Sequence, residues 1–257
     1  MNASSTAPGR GFRWVLLLCG TLAFLVLIGL GTWQVQRLFW KEALLSEIAH
    51  RTAGAPEALA DIEARFATTG DVDYWPVVAH GTFRHSGEQH FFATHEGRPG
   101  YFLYTPLELA DGRFLFVNRG FVPYELKDPA TRPQSQPDGE STVRGLARNP
   151  LAAKPSWLVP DNDPAKNVFY WKDMAAMTAA AGLPQGAVVL PFFVDADATP
   201  NPGGLPVGGV TLLDLPNNHL QYAITWYGLA AALVAVGLSM MLRRRSDDAR
   251  RNGHGGA

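Results

Sequence analysis

The chain has 257 residues and a formal net charge of −1, with 22 Lys and Arg against 23 Asp and Glu. That balance, with a pI near 6.7, provides no basic field of the kind nucleic-acid binding requires, and that class is set aside. The single cysteine, Cys19, lies inside an apolar run, which excludes an intrachain disulfide framework and a CxxC-type copper or zinc site.

Residues 1–13 form a short tail rich in small residues, with Arg10 and Arg13 just before the first apolar run. From Trp14 to Gly31 there is no charge, and a stretch of that length meets the requirement for a spanning helix, here placed at 14–32. It is longer than a secretory h-region and no A-x-A-like cleavage site follows, so it reads as an uncleaved anchor. The leader also lacks the repeated Arg/Ser pattern of a mitochondrial transit peptide, which favours a bacterial origin. A second span is placed at 219–242, because Ala223 to Leu242 is again free of charge. Arg243, Arg244, Arg245, Arg250 and Arg251 follow it, so the tail 243–257 is expected in the cytoplasm, with the N-terminus beside it. Residues 33–218 then form one domain facing the periplasm of a bacterial inner membrane.

Beyond the first span, good helix formers without Gly or Pro predict that the helix continues to about His50. Trp33, Arg37, Trp40 and Leu44 recur as i, i+4, i+7 and i+11, which sets a guanidinium between two indoles. An interfacial aromatic belt with a snorkelling arginine and a ligand-binding surface both account for that stripe. A short helix is expected at Pro56 to Phe66. Strands are expected at Trp75–His85, Glu88–His95, Tyr101–Leu109, Arg113–Val122, Ser141–Arg148, Ala187–Asp195 and Val207–Leu215, with one helix at Asn167–Gly182 among them. The fold class is a membrane protein whose two transmembrane helices flank an α+β domain, an antiparallel sheet curled into a small barrel or sandwich.

His80, His85, His90 and His95 recur every five residues. With Ser86-Gly87 as a two-residue turn, His80 and His95 share one face of a hairpin and His85 and His90 the other, so the four do not converge on one ion. Arg119 ends a strand, where it either binds a carboxylate or pairs with a neighbouring acid. No nucleotide-binding loop, zinc-protease motif or nucleophile motif is present, and nothing assembles a nucleophile, a base and an oxyanion site. The chain does not read as an enzyme.

At the start of the second span, His219, Tyr222 and Trp226 lie at i, i+3 and i+7 on one helical face. Small residues at Gly20, Ala23 and Gly31 on one helix and Ala223, Ala230 and Gly237 on the other allow close approach. A neutral imidazole beside indoles, a phenol and an arginine has the parts for an amphipathic tetrapyrrole. The alternative is a helix capped by Asn217 and Asn218 with an interfacial belt and no ligand.

Six motifs then occur in order: LGTWQVQRLFWKEALL at Leu30 to Leu45, YWPVVAHGTFRH at Tyr74 to His85 and DGRFLFVNRGFVP at Asp111 to Pro123, followed by VRGLARNP at Val143 to Pro150, NVFYWKDMAAM at Asn167 to Met177 and PNNHLQYAITWYGLA at Pro216 to Ala230. In these the sequence resembles the surfeit-one family of cytochrome c oxidase assembly proteins. The resemblance implies a non-catalytic membrane factor that helps haem a reach subunit I of the haem-copper oxidase, with haem a synthase and subunit I as partners. It makes His219 the candidate axial ligand of the haem iron, with Trp33, Gln34 and Arg37 in the first-span motif and Tyr222 and Trp226 in the second. A cofactor-free scaffold for a subunit I intermediate is the alternative. Copper delivery is disfavoured, since Cys19 is the only thiol. Phe121 stands where a tryptophan often follows the NRG motif, a departure that touches local packing.

Overall fold

The computed structural model describes residues 10–211, 213 and 216–253. Most of the predicted N-terminal tail, the last four residues and part of the predicted strand at Val207–Leu215 lie outside the described residues. The chain divides into two compact units, one at Glu47–Leu213 and one containing the two long helices.

Helix α1 runs without a break from Arg10 to Thr52, as the absence of Gly and Pro after Gly31 predicts. Strand β1 is only Glu57–Ala58, and helix α2 follows at Leu59–Thr69. The helix expected at Pro56 therefore starts three residues late, because Glu57 and Ala58 pair in parallel with Val77 and Val78. Gly70 ends α2 in the left-handed conformation and returns its N–H to the Phe66 carbonyl.

Strands β2 (Pro76–Phe83), β3 (Gln89–His95), β4 (Arg98–Glu108), β5 (Phe114–Pro123), β6 (Glu140–Arg148) and β7 (Val189–Ala196) form one sheet in the order β1-β2-β6-β7-β5-β4-β3. A further pairing of β2 with β4, through Thr82 with Glu108 and Phe83 with Leu107, closes five strands into a barrel. The sheet is mainly antiparallel, with β5 and β7 running parallel. Side chains alternate as a half-buried strand requires. Val77 and Ala79, Leu107, Leu115 and Val117, Val143 and Ala147, and Phe192 and Val194 join one interior cluster, which Ile62 of α2 extends. Burying an aromatic or aliphatic side chain of this size is worth about 1.5–3 kcal/mol. The residues between them, Phe116 and Phe193, turn outward with Tyr104 and are covered by Phe169 and by Met177 of helix α3 (Met174–Ala180).

Three expectations are corrected here. The hairpin at Ser86-Gly87 does not form: His85–Gly87 is a single helical turn, and β3 pairs with β4 while β2 pairs with β6 and β4. The helix expected over Asn167–Gly182 is confined to α3, because Phe169 bridges to β3 and the Asp173 side chain caps Ala176 N–H. Among the described residues, the last predicted strand contributes one bridge, Val207 with Phe121.

Candidate functional site

Two groups of polar residues stand out, one within each unit. In the sheet domain, β5 bulges against β4 at Arg119 and Gly120, since Asn118 pairs with Tyr104 and Phe121 already with Phe102. The bulge sends Arg119 into a buried cluster in which Glu88 takes an ion pair from Arg132 and a 3.0 Å hydrogen bond from His90 Nε2. Arg119 lies 3.9 Å from the same carboxylate, stacks over Phe83 and donates to the Ser135 carbonyl. At 2 % exposure it is a structural residue, not one open to a substrate carboxylate. Burial pushes its guanidinium down to about 10. For Glu88 burial works toward a higher value, but the hydrogen bonds from His90 and Arg132 outweigh it and hold the carboxyl below its ordinary range.

The histidines of β2 and β3 disperse. His80 bonds Thr142, His85 bonds the Pro137 carbonyl, His90 is buried on Glu88, and His95 packs on Phe121. Among the described residues no three His, Cys, Asp or Glu side chains converge as a metal site. Phe121 itself is buried and meets Phe102 edge-on, so the phenylalanine at that position is packed into the sheet domain.

The second group belongs to α1 and to helix α4, His219–Gly253, both long and apolar enough to cross a membrane. Helix α4 begins at His219, whose backbone N–H donates to the Asn217 side chain at 3.4 Å. Its imidazole Nδ1 lies 2.7 Å from Oε1 of Gln34, a residue of α1 that is only 9 % exposed. One turn before Gln34, Gly31 is covered by the Tyr227 ring, and the Tyr227 hydroxyl is 3.1 Å from Thr32 Oγ1. Ala223 and Ala230 are buried, whereas Ala23 is exposed and neither Gly20 nor Gly237 has a close neighbour. Only part of the predicted small-residue seam therefore makes contact.

Of the predicted site residues, Gln34 and His219 are brought together. Trp33 and Tyr222 are each 54 % exposed, Trp226 is half-buried, and the Arg37 guanidinium stacks on Trp40 at 3.8 Å. Thr32 and Tyr227 were not singled out in the sequence. Tyr227 sits four residues after Ala223 on the same helical face, and that spacing was the available signal.

The geometry defines a membrane protein with two candidate spanning helices, a small closed β-barrel domain and a histidine held at the start of the second helix. The SURF1 family model matches residues 21–231. Surfeit locus protein 1 of Homo sapiens is 36% identical over 259 residues, covering 94% of this chain and 81% of the relative. The Rattus norvegicus protein of the same name is 36% identical with 95% and 80% coverage, and the Xenopus tropicalis protein 34% identical with 94% and 80%. The chain belongs to the SURF1 family, known as cytochrome c oxidase assembly factors.

Proposed function

We propose that this chain carries haem a to subunit I of a haem-copper cytochrome c oxidase, with His219 as the iron ligand. The observation that carries this reading is the paired Gln34 and His219: the imidazole is anchored through Nδ1, and Nε2 enters no hydrogen bond among the described residues. That donor set fits a haem, which wants one neutral imidazole nitrogen, flat apolar neighbours and a cation for its propionates. Bound haem a would supply the redox-active iron of the oxidase.

The residues divide the work of holding and releasing it. His219 would offer a ring nitrogen to the iron, Trp33 and Tyr222 present exposed aromatic faces in the same helical unit, and Arg37 provides a positive charge. Haem a synthase is the donor and subunit I the acceptor. The arginines at 243–245, 250 and 251, beyond the apolar stretch of α4, favour both termini in the cytoplasm and the barrel domain outside a bacterial inner membrane.

A reduced-minus-oxidised absorption spectrum tests the reading, taken on detergent-purified protein from cells that make haem a and on its His219→Ala variant. The expected result is a haem a band in the wild type that is lost in the variant. A folded wild-type protein with no band, from membranes that contain haem a, would overturn the carrier and leave the cofactor-free scaffold.

A further inference from the structure

We propose that Gln34 is a positioning residue that fixes the tautomer of His219, placing the proton on Nδ1 and leaving the Nε2 lone pair free to face a ligand. The inference rests on the carrier reading for its purpose, but the tautomer itself is a property of the protein alone.

A side-chain amide oxygen has lone pairs and no proton, so a 2.7 Å approach between Gln34 Oε1 and a ring nitrogen is favourable only when that nitrogen donates. A neutral imidazole carries one N–H. With that proton on Nδ1, Nε2 is the only lone pair in the ring. Iron ligation requires that lone pair, and either the opposite tautomer or the imidazolium would withhold it. The usual arrangement at metal-bound histidines is the same, with the distal ring N–H given to a carboxylate, carbonyl or water that sets orientation and basicity.

The surroundings hold this bond in register. Gln34 is almost wholly buried, which costs it water as a competing partner. The Tyr227 ring against Gly31 fixes the depth of one helix on the other three residues earlier in α1. The Asn217 side chain holds the His219 backbone N–H, so the residue is restrained at its main chain and at its ring. Two hydrogen bonds thus restrain His219, one from its backbone N–H to Asn217 and one from ring Nδ1 to Gln34, and Nε2 takes part in neither.

The test uses the full-length protein in detergent, free of haem and selectively 15N-labelled at histidine, at a pH where the ring is neutral. Long-range 1H–15N correlation reads which nitrogen is protonated, and His219→Ala identifies the signals by their loss. The expected result is a protonated Nδ1 and an unprotonated Nε2 in the wild type. Gln34→Leu removes the acceptor and should shift the tautomer ratio toward Nε2–H on the order of tenfold, the equivalent of one hydrogen bond. Gln34→Glu, which accepts the same proton, should restore the wild-type tautomer. A wild-type His219 protonated on Nε2, or a ratio unchanged in Gln34→Leu, overturns the assignment. In the haem-loaded protein Gln34→Leu should weaken binding 10–100-fold while Gln34→Glu retains it. Because the haem-free spectra settle the tautomer and His219→Ala settles the ligand, the two ideas fail separately.

Discussion

The Tyr227 ring lies so close over Gly31 that a methyl group there would come within 2.8 Å of it. Such contacts let membrane helices approach where larger residues would hold them apart. Gly31→Ala should force the ring aside and destabilise the purified protein by about 1 kcal/mol, and Gly31→Leu by up to about 3 kcal/mol. Detergent-state unfolding of a Gly31→Ala/Tyr227→Ala double-mutant cycle checks the cause. If the ring is the obstacle, removing it should cancel most of the alanine penalty; simple additivity would exclude it.

Gly120 sits in the β5 bulge at φ 127°, and a Cβ there would stand 2.0 Å from the Val207 carbonyl oxygen. That atom is backbone and is paired with Phe121, so it has no easy way to retreat. Gly120→Ala is expected to cost on the order of 3 kcal/mol or more. Thermal unfolding and yield of folded protein would reveal it. Gly112, also at positive φ but in open space, is the control: its alanine variant should lose far less.

Acid should weaken the sheet domain in two stages. His85 is held below its ordinary value of 6.5, chiefly by burial. Its folded pKa is depressed, so its contribution is complete above 6.5 and is lost as pH falls below that. Glu88 is held below its ordinary 4.5, so its contribution is complete above 4.5 and disappears as pH falls toward the lower folded value. A melting-temperature profile should therefore be level near neutrality, decline below 6.5 and steepen below 4.5. Glu88→Gln should abolish the steeper step. It also leaves Arg119 and Arg132 buried without their shared anion, at a cost of about 3–5 kcal/mol at neutral pH.

The sequence made the strands legible because each follows local chemistry: alternation, β-branched and aromatic residues, and turn signals between them. It did not reveal that β5 and β7 run side by side in parallel, since no residue in Phe114–Pro123 records which strand will lie next to it. The hairpin expected at Ser86-Gly87 fails for the same reason: a two-residue turn signal is local, whereas the packing that sends β3 to β4 is not. Likewise the apolar run after Asn167 has the composition of a helix, yet Phe169 pairs with β3 before α3 begins. At the candidate site the residue types were visible, but the bond between Gln34 and His219 joins positions 185 apart and appears only in three dimensions.

The closure between β2 and β4 is short: two residue pairs, with the Arg84 N–H given to the Pro106 carbonyl just beyond them. Its neighbours β4 and β5 meet over eight pairs, and β2 and β6 over seven. Gly81 lets the strands come this near, for a Cβ would strike the Glu108 carbonyl oxygen at 2.3 Å. A cylinder joined by so narrow a seam has a preferred way to come undone. It should unroll along that line into an open ribbon before any strand is lost, and amides at Thr82 and Phe83 should take up deuterium well ahead of those along β5. Breathing of that kind leaves the long ladders intact and briefly bares the barrel's inner face, so the domain's motion is written into the unequal lengths of its strand pairings.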